Sequence, residues 1–248
     1  MKTKSEINKL KSLLDNSFKD LSFFEEEHKY YLKNKQLSTS VSGVIKNFYK
    51  PFNVKEGAKK VSDQYLGILS KEEITEQWSF LNKMSTNEGT KVHVFGEFYP
   101  FDKTLKPRNK QEEACKLWWD SMPSYYKPLK MEQRMYHYNY LFGGTADITL
   151  YNEKTGNIVL ADYKTNKNLF NNFAGKKMLK EWGFLLDQSF SHYIIQLNIY
   201  KILLEQVDGI KVENLMLVHL QRNGKPKMYK IDIYKEITLE SLKNIYEK

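Results

Sequence analysis

The chain has a single cysteine, Cys115. One thiol excludes an internal disulfide framework, a cysteine-rich zinc site and a four-cysteine iron–sulfur cluster, so any metal must rest on His, Asp and Glu. No run approaches 18 consecutive apolar residues, and the N-terminal stretch lacks the apolar centre of a secretory signal. These two absences give the expectation of a soluble, cytoplasmic protein with no membrane partner. Twelve glycines and six prolines, scattered through 248 residues, mark no long linker. Neither an internal repeat nor a low-complexity tract is present. There is no Gly-rich phosphate loop, dinucleotide fingerprint or G-x-S-x-G elbow, which removes the basis for motor, dehydrogenase and esterase readings.

What is present can fold unaided: 41% of positions are hydrophobic and 14% aromatic, in a chain of single-domain length. Lys and Arg number 39 against 30 Asp and Glu, and the resulting net charge of +9 points to an anionic partner, nucleic acid being the commonest. Apolar spacing predicts a helix within residues 1–20, a hairpin over 28–37 and a helix from Ser38–Ser42 to Pro51. Two helices are expected within 53–84, and another opening at Thr86–Thr90 and carrying His93. After a Pro-containing loop and a helix near Gln111–Trp119, the period turns to alternation. Strands are expected near 131–141, 144–151 and 158–164 as an antiparallel meander, then a helix over 191–206 and strands near 214–221 and 228–233. The order predicts an α/β fold with a mixed sheet, residues 1–87 packing as a helical and hairpin region on a core over 88–248, all one compact domain.

The chemistry-bearing pattern is Gly143-Gly-Thr-Ala-Asp147, fourteen intervening residues, then Asp162-Tyr-Lys164 at the end of the apolar strand Ile158–Ala161. Side chains alternate along a strand, so Asp162 and Lys164 share a face. Asp147, on the neighbouring strand, can reach the same spot. Two carboxylates converging with a lysine suit a hard divalent cation held beside a phosphodiester. Two helical pairs add to it: His93 with Glu97, and Gln196 with Tyr200, each four apart on one face. Glu97 either orients His93 or faces water, and Glu132 reads first as a solvated strand residue and second as a further acid of the site. His28, His137, His192 and His219 lack zinc-ligand spacing and read as surface or core residues, His192 standing four before Gln196.

Glu88-Gly-Thr-Lys-Val-His93, Gly144-Thr-Ala-Asp147, Asp162-Tyr-Lys164 and Gln196-x3-Tyr200 together resemble the motif series of the PD-(D/E)XK nuclease superfamily. The likeness is to its RecB-like branch, which includes phage exonucleases and the mitochondrial genome maintenance exonuclease, and it spans roughly residues 28 to 233, the segments around Tyr30–Ile45 and Phe48–Phe52 included. The resemblance implies a restriction-endonuclease-like core with helical N-terminal additions. It implies one or two Mg²⁺ or Mn²⁺ ions on His93, Asp147, Asp162 and the Tyr163 carbonyl, with Lys164 positioning water and stabilising charge. Gln196 and Tyr200 would orient the site or contact DNA. Asp162 stands where Glu is commoner in the family, and the cluster-bearing relatives are excluded by the cysteine count. The implied activity is metal-dependent DNA exonuclease action in phage-type recombination, replication or repair, with a single-strand annealing or recombination protein as a partner. A structure-specific or restriction-type endonuclease on the same site, and a catalytically silent nucleic-acid-binding module, are the alternatives.

Positive charge is concentrated near that site. Residues 163–180 hold five lysines and no acid, among them Lys164, Lys167, Lys176 and Lys177, and residues 221–230 add Arg222, Lys225, Lys227 and Lys230. Phe170, Phe173, Trp182 and Phe184 fall in or just after the first run, where aromatics can stack on unpaired bases.

Overall fold

The computed structural model describes residues 4–27, 29–139 and 141–235; His28 and the last thirteen residues of the expected core lie outside them. Helix α1 (Lys4–Phe18) leads into a small antiparallel sheet of β1 (Leu21–Phe24), β2 (Lys29–Leu32) and β3 (Lys35–Gln36). Lys33 and Asn34, both at positive φ, make the tight turn between β2 and β3. Ser40 ends β4 (Thr39–Ser40) and caps α2 (Val41–Ile45), its hydroxyl accepting the Gly43 N–H at 3.2 Å. Asn53 caps α3 (Val54–Gln64) in the same way.

Helix α4 runs unbroken from Lys71 to Phe98, started by a capping box of Ser70 and Glu73. This corrects the expected helix start at Thr86–Thr90, and the helix crosses the 87/88 division. The hydroxyls of Thr86 and Thr90 bond back to the carbonyls of Asn82 and Thr86, so they decorate a helix already running instead of capping a new one. Helix α5 (Lys110–Asp120) follows, capped by Asn109.

The rest forms a mixed sheet: β5 (Tyr126–Tyr136), β6 (Phe142–Asn152), β7 (Ile158–Lys164), helix α6 (Ser189–Glu205), β8 (Val212–Leu220) and β9 (Pro226–Ile231). Strand order is β5-β6-β7-β8-β9, with β4 added parallel to the start of β6. The meander β5-β6-β7 is antiparallel, and α6 crosses over to bring β8 parallel to β7. Strand β5 begins five residues before the expected position because Pro128 is tolerated at an edge, beside a register shift at Pro128/Lys130. Helices α1, α2 and α6 cover one face through Leu14, Val44, Leu203, Leu160 and Leu217. Helices α4 and α5 cover the other through Val92, Trp118, Val159, Ala161 and Tyr163. The architecture is mixed α/β, with a second small sheet that periodicity foresaw only as a hairpin.

One irregularity positions the site. Strand β5 occupies one edge of β6 along its length. On the other edge β4 pairs only with residues 142 and 143, and β7 only with 148–151. Residues 144–147 therefore have no strand partner there, while Asp162–Lys164 pair only with β8. The sheet splays open between Asp147 and Asp162.

Candidate functional site

Asp147 fills that opening. Its Oδ2 accepts the backbone N–H of Tyr163 at 2.8 Å, which replaces the ladder bond lost by the splay. The same oxygen lies 3.3 Å from Nδ1 of His93 on α4. The helix can come this close because residue 96 is glycine: a Cβ there would stand 2.5 Å from the Tyr163 ring. Tyr163 is locked into that face by the Trp119 indole N–H, which it accepts at 2.5 Å. Alternation then sends Asp162 and Lys164 to the opposite face, where the two pair with each other and the Lys164 ammonium sits 4.5 Å above the Tyr193 ring on α6.

His93, Glu132 and Asp147 each offer a ligand atom, and these atoms lie within 4.8 Å of one another. Such a set of one imidazole and two carboxylates can hold a divalent metal ion. Glu132 corrects the first reading of its position. It is half-buried, not solvated, and joins the group from a strand residue at φ 50°, flanked by the pairs Met131↔Ile148 and Gln133↔Ala146 that set it opposite Asp147. Left-handed backbone at a non-glycine residue breaks strand alternation, and nothing in the residue pattern announces it. Asp162, expected as a ligand, is not one of these three: its carboxylate is engaged by Lys164, and it feels Asp147 as a neighbouring like charge.

The electrostatics follow from burial and neighbouring charge. Burial pushes the Asp147 carboxyl up, but His93, Lys164 and the Tyr163 N–H together hold it below the ordinary range. Burial lowers His93, and the adjacent Asp147 carboxylate outweighs that and keeps it above its usual value. Burial and the charge of Asp147 push Asp162 up to about 6, against the pull of Lys164. Burial and Asp147 push Glu132 up to about 8. Lys164 is desolvated, yet Asp162 and Asp147 raise it, so it stays an ammonium. The metal-free site near neutral pH thus sets the charges of Asp147 and Asp162 against that of Lys164, with Glu132 protonated and the His93 imidazolium favoured by Asp147.

The remaining expected residues divide. The Gln196 amide donates to the Tyr200 hydroxyl at 2.9 Å, and the Tyr200 ring fills the place a Cβ on Gly144 would take, 2.7 Å away, three residues before Asp147. Both brace β6. Glu97 is half-buried and is felt by Glu132 as a like charge, whereas His93 bonds to Asp147. His192 pairs with Asp187 at 2.9 Å and stacks on Tyr49, so it does not join Gln196. His137 and His219 are buried, and burial alone holds His137 down at about 4.

Lys167, Lys176 and Lys177, like Arg222, Lys225, Lys227 and Lys230, are exposed and form no ion pair among the described residues. The two basic runs, some sixty residues apart in sequence, meet where Phe170 packs against Tyr229 at 5.6 Å. Trp182 is a correction: it is 1% exposed, packed on Phe48 and Tyr234, and belongs to the core. Phe170, Phe173 and Phe184 are exposed.

Sequence reasoning missed Tyr193 and Asn166. Tyr193 carries Lys164 on its ring and donates its hydroxyl to the Asn166 side chain at 2.8 Å. Its signal was helical spacing, since 193, 196 and 200 lie on one face of α6. Among the described residues no helix is long and apolar enough to cross a membrane. Compared with protein-family models and with curated proteins, the sequence gives no match.

Proposed function

We propose that this chain is a divalent-metal-dependent nuclease of the PD-(D/E)XK type that hydrolyses DNA phosphodiester bonds, releasing nucleotides from the ends of linear DNA. The observation that carries the reading is the convergence of His93, Glu132 and Asp147, close to the Asp162–Lys164 pair, where the sheet opens between β6 and β7. Mg²⁺ or Mn²⁺ would be held by His93, Glu132 and Asp147, with Asp162 and the Tyr163 carbonyl on the next strand as further oxygen donors. When bound, the ion supplies Lewis-acid polarisation of a phosphoryl oxygen and a water of lowered pKa. Lys164 keeps a permanent positive charge, steadied by the Tyr193 ring, and offers it to the developing charge on phosphate. Tyr200 and Gln196 hold β6, and so Asp147, in place. The exposed, acid-free runs around Lys167, Lys176 and Lys177 and around Arg222 to Lys230 support an anionic polymer as substrate.

The experiment compares end-labelled linear, covalently closed circular and single-stranded DNA with Mg²⁺, Mn²⁺ or EDTA. Metal-dependent release of nucleotides from linear DNA, with circular DNA spared, is expected. Cutting of the circle would move the assignment to an endonuclease on the same site. Binding without cleavage, together with no uptake of Mn²⁺, would replace it with a silent nucleic-acid-binding module.

A further inference from the structure

The segment that leaves the site after Lys164 is tied down at Thr165, Asn166, Leu169 and Phe170. The Gln111 side chain donates to the Thr165 carbonyl at 2.9 Å, and the Asn166 carbonyl meets His219 at 2.7 Å. Phe190 donates its N–H to the Leu169 carbonyl at 2.9 Å, and Phe170 donates its own to the Asn168 side chain at 2.8 Å. Phe170 is therefore held at a fixed place. Its ring packs on Phe190 at 4.9 Å and Tyr229 at 5.6 Å, and those two rings are 5.2 Å apart. Phe190 and Tyr229 are half-buried and act as a backing, while Phe170 is 46% exposed.

Two exposed lysines accompany the cluster. Lys227, on the same face of edge strand β9 as Tyr229, places its ammonium 5.0 Å over the Tyr229 ring. Lys167 lies three residues before Phe170, and neither lysine pairs with an acid among the described residues. An aromatic cluster that only closed a core would bury its outermost ring and needs no cations at its rim. A supported, half-open ring, with one ammonium on the neighbouring ring and another three residues away along the chain, neither paired with an acid among the described residues, matches a nucleotide, whose flat base stacks and whose phosphate is neutralised nearby. A base within a duplex hides its face in the stack, so the fit is to an unpaired strand.

We propose that Phe170, backed by Phe190 and Tyr229, with Lys227 over the Tyr229 ring and Lys167 three residues before Phe170 in the chain, is a stacking subsite for the unpaired strand of the nucleic acid; this rests on the nuclease reading above. Six residues of chain span at most about 21 Å, so the subsite lies no further than that from Lys164. At about 3.4 Å per stacked nucleotide, no more than about six nucleotides separate the two.

The test measures anisotropy of a labelled 20-mer, single-stranded and as a blunt duplex, bound to the full chain in EDTA. Phe170→Ala and Phe170→Leu are each expected to lower the ratio of single-strand to duplex affinity by about 5- to 100-fold, whereas Phe170→Trp keeps it within about twofold. Lys227→Gln is expected to make the single-strand salt slope shallower by about 0.7. Phe170→Leu preserves the apolar packing, so a ratio unchanged in that variant, or an equal loss on both DNAs, overturns the subsite. Cleavage of linear DNA by the unsubstituted chain with Mn²⁺, read in parallel, reports on the nuclease reading alone. Cleavage combined with an unchanged ratio removes the subsite and keeps the nuclease; a lowered ratio without cleavage does the reverse.

Discussion

One oxygen of Asp147 serves two partners: Oδ2 accepts the Tyr163 N–H at 2.8 Å and faces Nδ1 of His93 at 3.3 Å. The residue therefore closes the gap where β7 leaves β6 and anchors α4 to the sheet. Fold and site share this carboxylate. Asp147→Ala leaves a buried N–H unpaired and His93 without its counter-charge, and is expected to cost about 2–4 kcal/mol in urea unfolding. Asp147→Asn keeps an acceptor for Tyr163 and loses only the charge, so it should be clearly the more stable of the two. Equal losses would mean that the Tyr163 bond contributes nothing.

Burial and the Asp147 charge push the Glu132 carboxyl from its ordinary 4.5 up to about 8 in the folded chain. Between those values the folded state binds a proton that the unfolded chain has lost, so this group's contribution to stability falls as pH rises through the window. Glu132→Gln imitates the protonated acid. The metal-free variant should exceed the unsubstituted chain by about 1–3 kcal/mol at pH 8 and match it near pH 5. A variant less stable at pH 8 contradicts the burial and charge assigned to Glu132.

Metal binding should release protons. At pH 7 Glu132, pushed up to about 8, carries one that a cation would displace, and His93, held above its usual value, adds to the release as pH falls. Titration calorimetry with Mn²⁺ in two buffers of different ionisation enthalpy is expected to show net proton release on binding, with affinity rising as pH approaches 8. Buffer-independent heats would place the ion elsewhere.

Gly144 tests the brace behind the site. A methyl group there meets the Tyr200 ring at 2.7 Å and Val41 at 2.9 Å, both within the packed core. Gly144→Ala should destabilise by about 1–3 kcal/mol, as overpacking does. Pairing it with Tyr200→Ala, which opens the space, should recover part of that loss. A Gly144→Ala chain of normal stability would show that β6 and α6 do not bear on each other as described.

Much of this was legible in the residues, for identifiable reasons. The meander, α6 and the pairing of Asp162 with Lys164 on one face follow from strong alternation and from apolar runs such as Ile158–Ala161, where local pattern and tertiary burial agree. The start of α4 was misplaced because Thr86 and Thr90 have the side chains of caps while occupying interior turns. Trp182 carries no mark of burial in a lysine-rich stretch, since its partners Phe48 and Tyr234 are distant in sequence. Glu132 reads as solvent-facing because alternation assumes extended backbone, and its left-handed φ is a tertiary outcome.

The central claim is that this centre cleaves phosphodiester bonds. Its most direct test is release of acid-soluble nucleotides from linear DNA in Mn²⁺, by the unsubstituted chain and by Lys164→Ala checked for folding by circular dichroism. The account predicts release that EDTA abolishes and that the folded variant lowers by at least about a hundredfold. Release that persists in EDTA, or undiminished in Lys164→Ala, would contradict it.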